Sequence, residues 1–173
     1  MDLIGPLPKT TRGNTYAVVM QDLFSKWPEV IPIPDVTMKM VVEVILNPIG
    51  RWGPLEMIVS DQGREFVAEL HQELARQLSI KRSFSMPGHP QMNSQVKRFN
   101  QTLKSMMAHY TNMKQDNWDV YVLLLLYMYC TSPQKLMGVS PYQVLFGRLA
   151  PLLEGSHRSP DDTKLSNKWI AEL

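Results

Sequence analysis

Two aspartates stand where a carboxylate can do chemistry. Asp2 lies in Asp2-Leu3-Ile4-Gly5, and Asp61 follows the run Met57-Ile58-Val59-Ser60 and precedes Gln62-Gly63. A short, continuous apolar run reads as a strand buried on both faces, and ligand sites of α/β sheets gather where such strands end. Hard oxygen ligands are what Mg2+ requires, and an aspartate bridging two ions is typical of phosphoryl-transfer sites. The same residues serve as readily in bland roles, Asp61 as an N-cap and Asp2 as a strand-end turn residue. The pair alone does not choose between these readings.

A second feature is the distribution of charge. The 173 residues carry 18 Lys and Arg against 16 Asp and Glu, a net charge of +2 that says little. Residues 81–114, however, contain no Asp or Glu, while holding Lys81, Arg82, Lys97, Arg98, Lys104 and Lys114 together with His89 and His109. A one-signed stretch in a nearly neutral chain points to a polyanion such as nucleic acid, or else to a solvated basic helix face. Neither histidine has a second Cys or His at zinc spacing. The single cysteine, Cys130, can form no internal disulfide and suits an intracellular, reducing compartment. The longest apolar run, 120–130, is too short to span a bilayer, and no secretory signal opens the chain.

The elements that must position these residues can be read in outline. Residues 2–4 form the stub of a strand broken by Gly5-Pro6, 16–24 a β-rich strand, and 29–33 an edge strand bearing Pro32. Thr37 caps a helix with an apolar stripe through Met38, Val41, Val42, Ile45 and Leu46, which Pro48 should end or kink. A buried strand over 57–60, an amphipathic helix over 65–78, a strand over 80–84 and a loop over 87–90 follow. A long helix then runs over 91–110, a very apolar one over 116–129, and Ser140 caps a short third one with Pro141 at its first position. The pattern is a mixed-sheet α/β domain over 1–150, with a polar tail or linker over 151–173.

At 100° per residue the long helix resolves into two faces. Val96, Phe99, Leu103, Met106, Met107 and Tyr110 gather into a stripe that must face the core, and Asn93, Lys97, Asn100, Gln101 and Lys104 gather into a polar one. Amides and ammonium groups on one face can bond phosphate oxygens and base edges, and solvent would satisfy them equally. Trp27, Trp52 and Trp118 read as core or dimer-interface aromatics.

Five motifs, in order, carry a family resemblance. They are Asp2-Leu3-Ile4-Gly5-Pro6-Leu7-Pro8, Asp22-Leu23-Phe24-Ser25-Lys26-Trp27-Pro28-Glu29, Ile58-Val59-Ser60-Asp61-Gln62-Gly63-Arg64-Glu65-Phe66, His89-Pro90-Gln91-Met92-Asn93-Ser94-Gln95-Val96-Lys97-Arg98-Phe99-Asn100, and Ser140-Pro141-Tyr142-Gln143-Val144-Leu145-Phe146-Gly147. Over about residues 1 to 150 the chain resembles the catalytic core of gypsy-type retrotransposon integrases, relatives of retroviral integrases. The resemblance implies a ribonuclease-H-like fold, a mixed sheet of about five strands flanked by helices. It also implies a site in which two Asp and one Glu hold two Mg2+ ions, one activating the attacking oxygen and the other stabilising the leaving one. Asp22 falls in what the resemblance makes a structural Asp-x-Phe-Ser turn.

Carried over, the two metal-binding aspartates fall on Asp2 and Asp61. The third ligand of the family falls on Lys97, because the family motif Asn-Gly-Gln-Val-Glu-Arg-Phe-Asn is here Asn93-Ser94-Gln95-Val96-Lys97-Arg98-Phe99-Asn100. Exchanging glutamate for lysine removes a negative ligand and adds a positive charge beside two divalent ions. At an effective dielectric of about 20, unit charges about 4 Å apart interact by roughly 4 kcal/mol, and ammonium has no lone pair to offer a metal. The expectation is an integrase-like core that binds DNA through Asn93, Lys97, Arg98, Asn100, Gln101 and Lys104, holds Mg2+ weakly or not at all, and has lost strand transfer. A residual Mg2+-dependent nuclease or transferase, and a dimerisation module built on the apolar helix, are the alternatives. The expected partner is DNA in an intracellular, nuclear setting, with a homodimer open and neither a membrane nor a small-molecule substrate. Because Asp2 follows Met1 directly, the first strand reads as truncated and the chain as a piece of a longer polyprotein lacking the family's zinc and terminal β-rich domains.

Overall fold

Tyr16-Ala17-Val18-Val19-Met20-Gln21 has the branched, apolar composition that favours extended backbone, and it forms the central strand of the sheet. The computed structural model describes residues 1–53, 58, 60, 69, 72–74, 76, 90–135 and 137–151. The described sheet has strands β1 (Asp2–Ile4), β2 (Tyr16–Gln21) and β3 (Pro28–Ile33) in the order β1-β2-β3. Both pairings are antiparallel, with Asp2 opposite Val19 and Val18 opposite Ile31. β2 stops at Gln21 rather than running to residue 24. There Asp22 Oδ2 accepts from the Ser25 amide (2.7 Å) and the Ser25 hydroxyl (2.6 Å), which turns the chain before Pro28.

Strand alternation divides the core in two. Ile4, Ala17, Val19 and Val30 face one buried cluster, whereas Met1, Val18 and Ile33 face the other. The first cluster is completed by helix α2 (Pro90–Tyr110), through Val96, Phe99, Leu103 and Met107, and by α3 (Trp118–Thr131), through Trp118, Val122 and Leu125. The second is completed by α1 (Met38–Trp52), through Val41, Val42 and Ile45, with Ile58 and Leu74. The sheet is thus covered by helices on both faces, so its strands are apolar on both.

The helix ends follow their capping chemistry. Thr37 accepts from the Met40 amide to start α1, which passes through the buried Pro48 and ends at Gly53, whose φ is 90°. The expected stop at Pro48 is therefore not made; the helix continues one more turn to a glycine able to take the left-handed backbone. Ser140 and Gln143 form a reciprocal capping box at the start of α4 (Pro141–Phe146). Gly5, which ends β1, has φ of 151°, and a Cβ there would lie 2.2 Å from the Tyr16 ring, so only glycine fits.

Several sequence expectations lie outside the described residues: the strand over 80–84, residues 57 and 59 of the strand over 57–60, the tail beyond 151, and the loop over 87–90 except Pro90, which opens α2 instead. Of the helix expected over 65–78, residues 69, 72–74 and 76 are described and helical, with Leu74 fully buried.

Candidate functional site

Asp2 and Ile4 share the face of β1 that meets α2, because they are two residues apart. That parity aims the Asp2 carboxylate at the helix. Its Oδ1 accepts from the Leu3 amide at 2.8 Å, and its Oδ2 accepts from Asn100 Nδ2 at 2.6 Å. Asn100 is only 7% exposed, and its Oδ1 is buried without a hydrogen-bond partner. A carboxylate from the first strand and an amide from the long helix, 98 residues apart, form the polar centre of an otherwise apolar seam.

This corrects the sequence reading of the helix. Asn100 does not lie on the exposed polar face but turns inward between Val96 and Leu103. Around the helix it sits only about 20° from Met107, so the amide belongs to the edge of the apolar stripe. A buried amide needs a partner, and an amide inside an apolar stripe was the available signal. Tyr110, expected in the core, is 42% exposed in the last turn of α2. Lys97, Arg98, Gln101 and Lys104 are exposed, as the polar face requires. Lys97 precedes Asn100 by three residues, so it occupies the adjacent turn of the same helix. Of Asn93 only the helical backbone is described, and Asp61 lies outside the described residues.

On the flank of α2 that carries Gln95, away from Lys97 and Lys104, stands the turn between β2 and β3, which the resemblance makes structural. Lys26, with φ of 63°, sends its Nζ to the Leu23 carbonyl and to Gln95 Oε1 (2.6 Å) on α2. Gln95 Nε2 in turn donates to Gln21 Oε1 and the Asp22 carbonyl, each at 3.4 Å. Burial lowers the Lys26 pKa; Asp22 pulls it back up and Arg98 lowers it further. Sequence reasoning missed Lys26 and Gln95, since a turn lysine and a helix glutamine carry no pattern that joins them.

The donor chemistry can be tested against Mg2+. Among the described residues no group of three or more His, Cys, Asp or Glu converges. The described carboxylate of the expected set, Asp2, already accepts N–H donors on both oxygens, and the neighbouring turn of α2 presents an ammonium. With Asp61 outside them, the described residues by themselves do not assemble a two-ion site.

Comparison with known proteins decides the family. Residues 1–90 match the model of the integrase core domain. The chain belongs to the integrase core family. It is 31% identical over 153 residues to the retrovirus-related Pol polyprotein of transposon 412 from Drosophila melanogaster, covering 88% of this chain and 12% of that protein. It is 39% identical over 136 residues to the Gag-Pol polyprotein of Walleye dermal sarcoma virus, covering 77% of this chain and 8% of that one. The integrase core thus spans a small part of both relatives. Among solved structures, the catalytic core domain of BIV integrase superposes with a TM-score of 0.57 at 26% identity, over 75% of this chain and 84% of that one. The HTLV-2 integrase catalytic core domain, solved in complex with magnesium in a dimeric form, gives 0.54 at 22% identity, over 76% and 83%. The fold is that of retroviral integrase cores, the ribonuclease-H-like fold, with three strands of its sheet among the described residues.

Proposed function

We propose that this integrase core is a DNA-binding module that has lost metal-dependent strand transfer, with Lys97 standing where the family's third acid would be. The observation that carries the reading is the exposed ridge of α2, where Lys97, Arg98, Gln101 and Lys104 project beside the half-buried Asp2 and the buried Asn100 that it bonds. A ridge of cations and amides with no carboxylate of its own suits phosphate contacts that position a duplex. Asn93 extends the same face by sequence. Asp2 and Asp61 retain at most weak Mg2+ binding, because an ammonium one helical turn from Asn100 opposes divalent ions electrostatically. A nuclear setting follows from the DNA partner.

The test is duplex DNA binding by fluorescence anisotropy across a series of salt concentrations. Three to five phosphate contacts give a slope of log K against log salt of about −3 to −4.5. Lys104→Ala should flatten it by about one unit and weaken all sequences alike. Lys97→Glu should weaken binding in the absence of metal and recover part of the loss with Mg2+. Salt-independent affinity, or an unchanged Lys104→Ala, would remove DNA from the ridge. DNA cleavage or joining abolished by Asp61→Asn would instead establish a residual metal-dependent enzyme.

A second reading, homodimerisation, rests on a separate observation. Val120, Leu123 and Leu124 are exposed at 50%, 77% and 39% on α3, opposite its buried Val122 and Leu125. A helix apolar on every side still has a face to cover.

A further inference from the structure

The β1–β2 connection, the last turns of α2 and the approach to α3 meet around an open cleft of about 170 Å3. Lys104, Met107, Ala108 and Thr111 line it from α2, because residues three, four and seven apart share one face of a helix. Leu7 and Pro8 from the connection and Trp118 from α3 complete its apolar lining. Trp118 Nε1 already donates to the Pro8 carbonyl at 2.8 Å, so the indole offers the cleft only its ring. The remaining polar groups are the Lys104 ammonium, the Thr111 hydroxyl and the Gln115 carboxamide. Apolar walls with a few polar groups at the mouth are the usual make-up of a small-molecule site.

Volume and charge define the occupant. A cavity of about 150 Å3 holds a benzene ring, so this cleft seats a single aromatic ring. The only formal charge among its lining residues is Lys104. Of the nearby acids, Asp116 accepts from Asn112 Nδ2 at 2.6 Å, and Asp119 is turned to Thr10 and Asn14. Thr111 lies about 10 Å further along the helix axis at ~1.5 Å per residue, beside the end where orphan carbonyls repel an anion. A carboxylate is therefore favoured at the Lys104 end. We propose that the cleft is a small-molecule site for an aryl carboxylate, its ring against Leu7, Met107 and the Trp118 indole and its carboxylate paired with Lys104. The site shares Lys104 with the ridge of α2 but does not depend on the DNA-binding reading, because its occupant is a small acid recognised with no nucleic acid present.

The experiment titrates the whole 15N-labelled chain with benzoate, and separately with its neutral isostere benzamide, following the Trp118 indole N–H resonance. Benzoate should shift that resonance saturably with a Kd of about 1–10 mM, as expected of so small a ligand. Benzamide should bind about 2- to 5-fold more weakly, the worth of one solvent-exposed ion pair. Lys104→Met should bring benzoate down to the affinity of benzamide and leave benzamide unaltered. Ala108→Phe fills the cleft from an exposed position and should abolish both titrations at an unchanged melting temperature; if that variant fails to fold, Lys104→Met carries the test alone. The absence of a saturable shift, equal affinity for the two probes, or a folded Ala108→Phe that binds as the parent does would each overturn the proposal. DNA binding and its salt dependence are measured apart from these titrations, so either reading can fail without the other.

Discussion

Cys130 shows how strongly a single environment acts here. It is 3% exposed on α3, and burial pushes its thiol pKa from 9.0 to about 12, with Glu29 adding to the rise. Between pH 9 and 12 the unfolded chain releases this proton while the folded chain keeps it. Stability from this group should therefore fall as pH rises through that window, by up to about 1.4 kcal/mol per pH unit. Urea titrations of the protein and of Cys130→Ala at pH 8 and 10.5 would test this; equal pH dependence in both would exclude the thiol as the source. The Asp2–Asn100 pair behaves oppositely, as a polar contact completed at the cost of one orphaned oxygen. Asn100→Leu should take the 2.6 Å donor from Asp2 and bring leucine against a carboxylate, destabilising the fold by about 1–3 kcal/mol. A variant of unchanged melting temperature would mean that solvent reaches Asp2 more freely than its packing implies.

The start of α3 illustrates what an element contributes beyond its apolar stripe. Trp118 Nε1 donates to the Pro8 carbonyl at 2.8 Å, and Asp119 Oδ2 accepts from Thr10 Oγ1 at 2.9 Å and Asn14 Nδ2 at 2.7 Å. The helix thereby clasps the β1–β2 connection and fixes where β1 begins its turn. Asp119→Ala leaves two donors unpaired in a largely buried place and should lose about 1–3 kcal/mol. In a double-mutant cycle with Thr10→Val, losses that merely add would refute the clasp. None of this was legible in the sequence: Thr10 and Asp119 are 109 positions apart, and neither belongs to a periodic pattern. What was legible had a local cause. The stripe Val96, Phe99, Leu103 and Met107 is written at helical spacing, and Thr37 and Ser140 announce their helices by cap chemistry. Asn100 was misplaced because its type suggests solvent while its phase along the helix assigns it to the core. Pro48 misled in the other direction, since local propensity yields when tertiary burial holds the helix on both sides of a proline.

At the scale of the molecule, the sheet is closed over by helices on both faces, which leaves the outer side of α3 as its conspicuous apolar surface among the described residues. Leu123→Lys should convert a dimer to a monomer in sedimentation velocity without altering the thermal melt, because residue 123 faces away from the core. Sedimentation of the unmutated protein as a monomer at micromolar concentration would discard that surface as an interface. The division of β1 between two cores has a consequence of another kind. Met1 and Leu3 feed one cluster and Ile4 the other, with Asp2 sharing the side of Ile4. A slip of a single position would thrust the carboxylate among Val41 and Val42 and turn Leu3 upon the Asn100 amide, so both layers would reject it at once. The strand works as a parity check on its own alignment. The address of Asp2 is guarded by the greasiness of its neighbours, whatever the aspartate does and whichever residue stands at position 97.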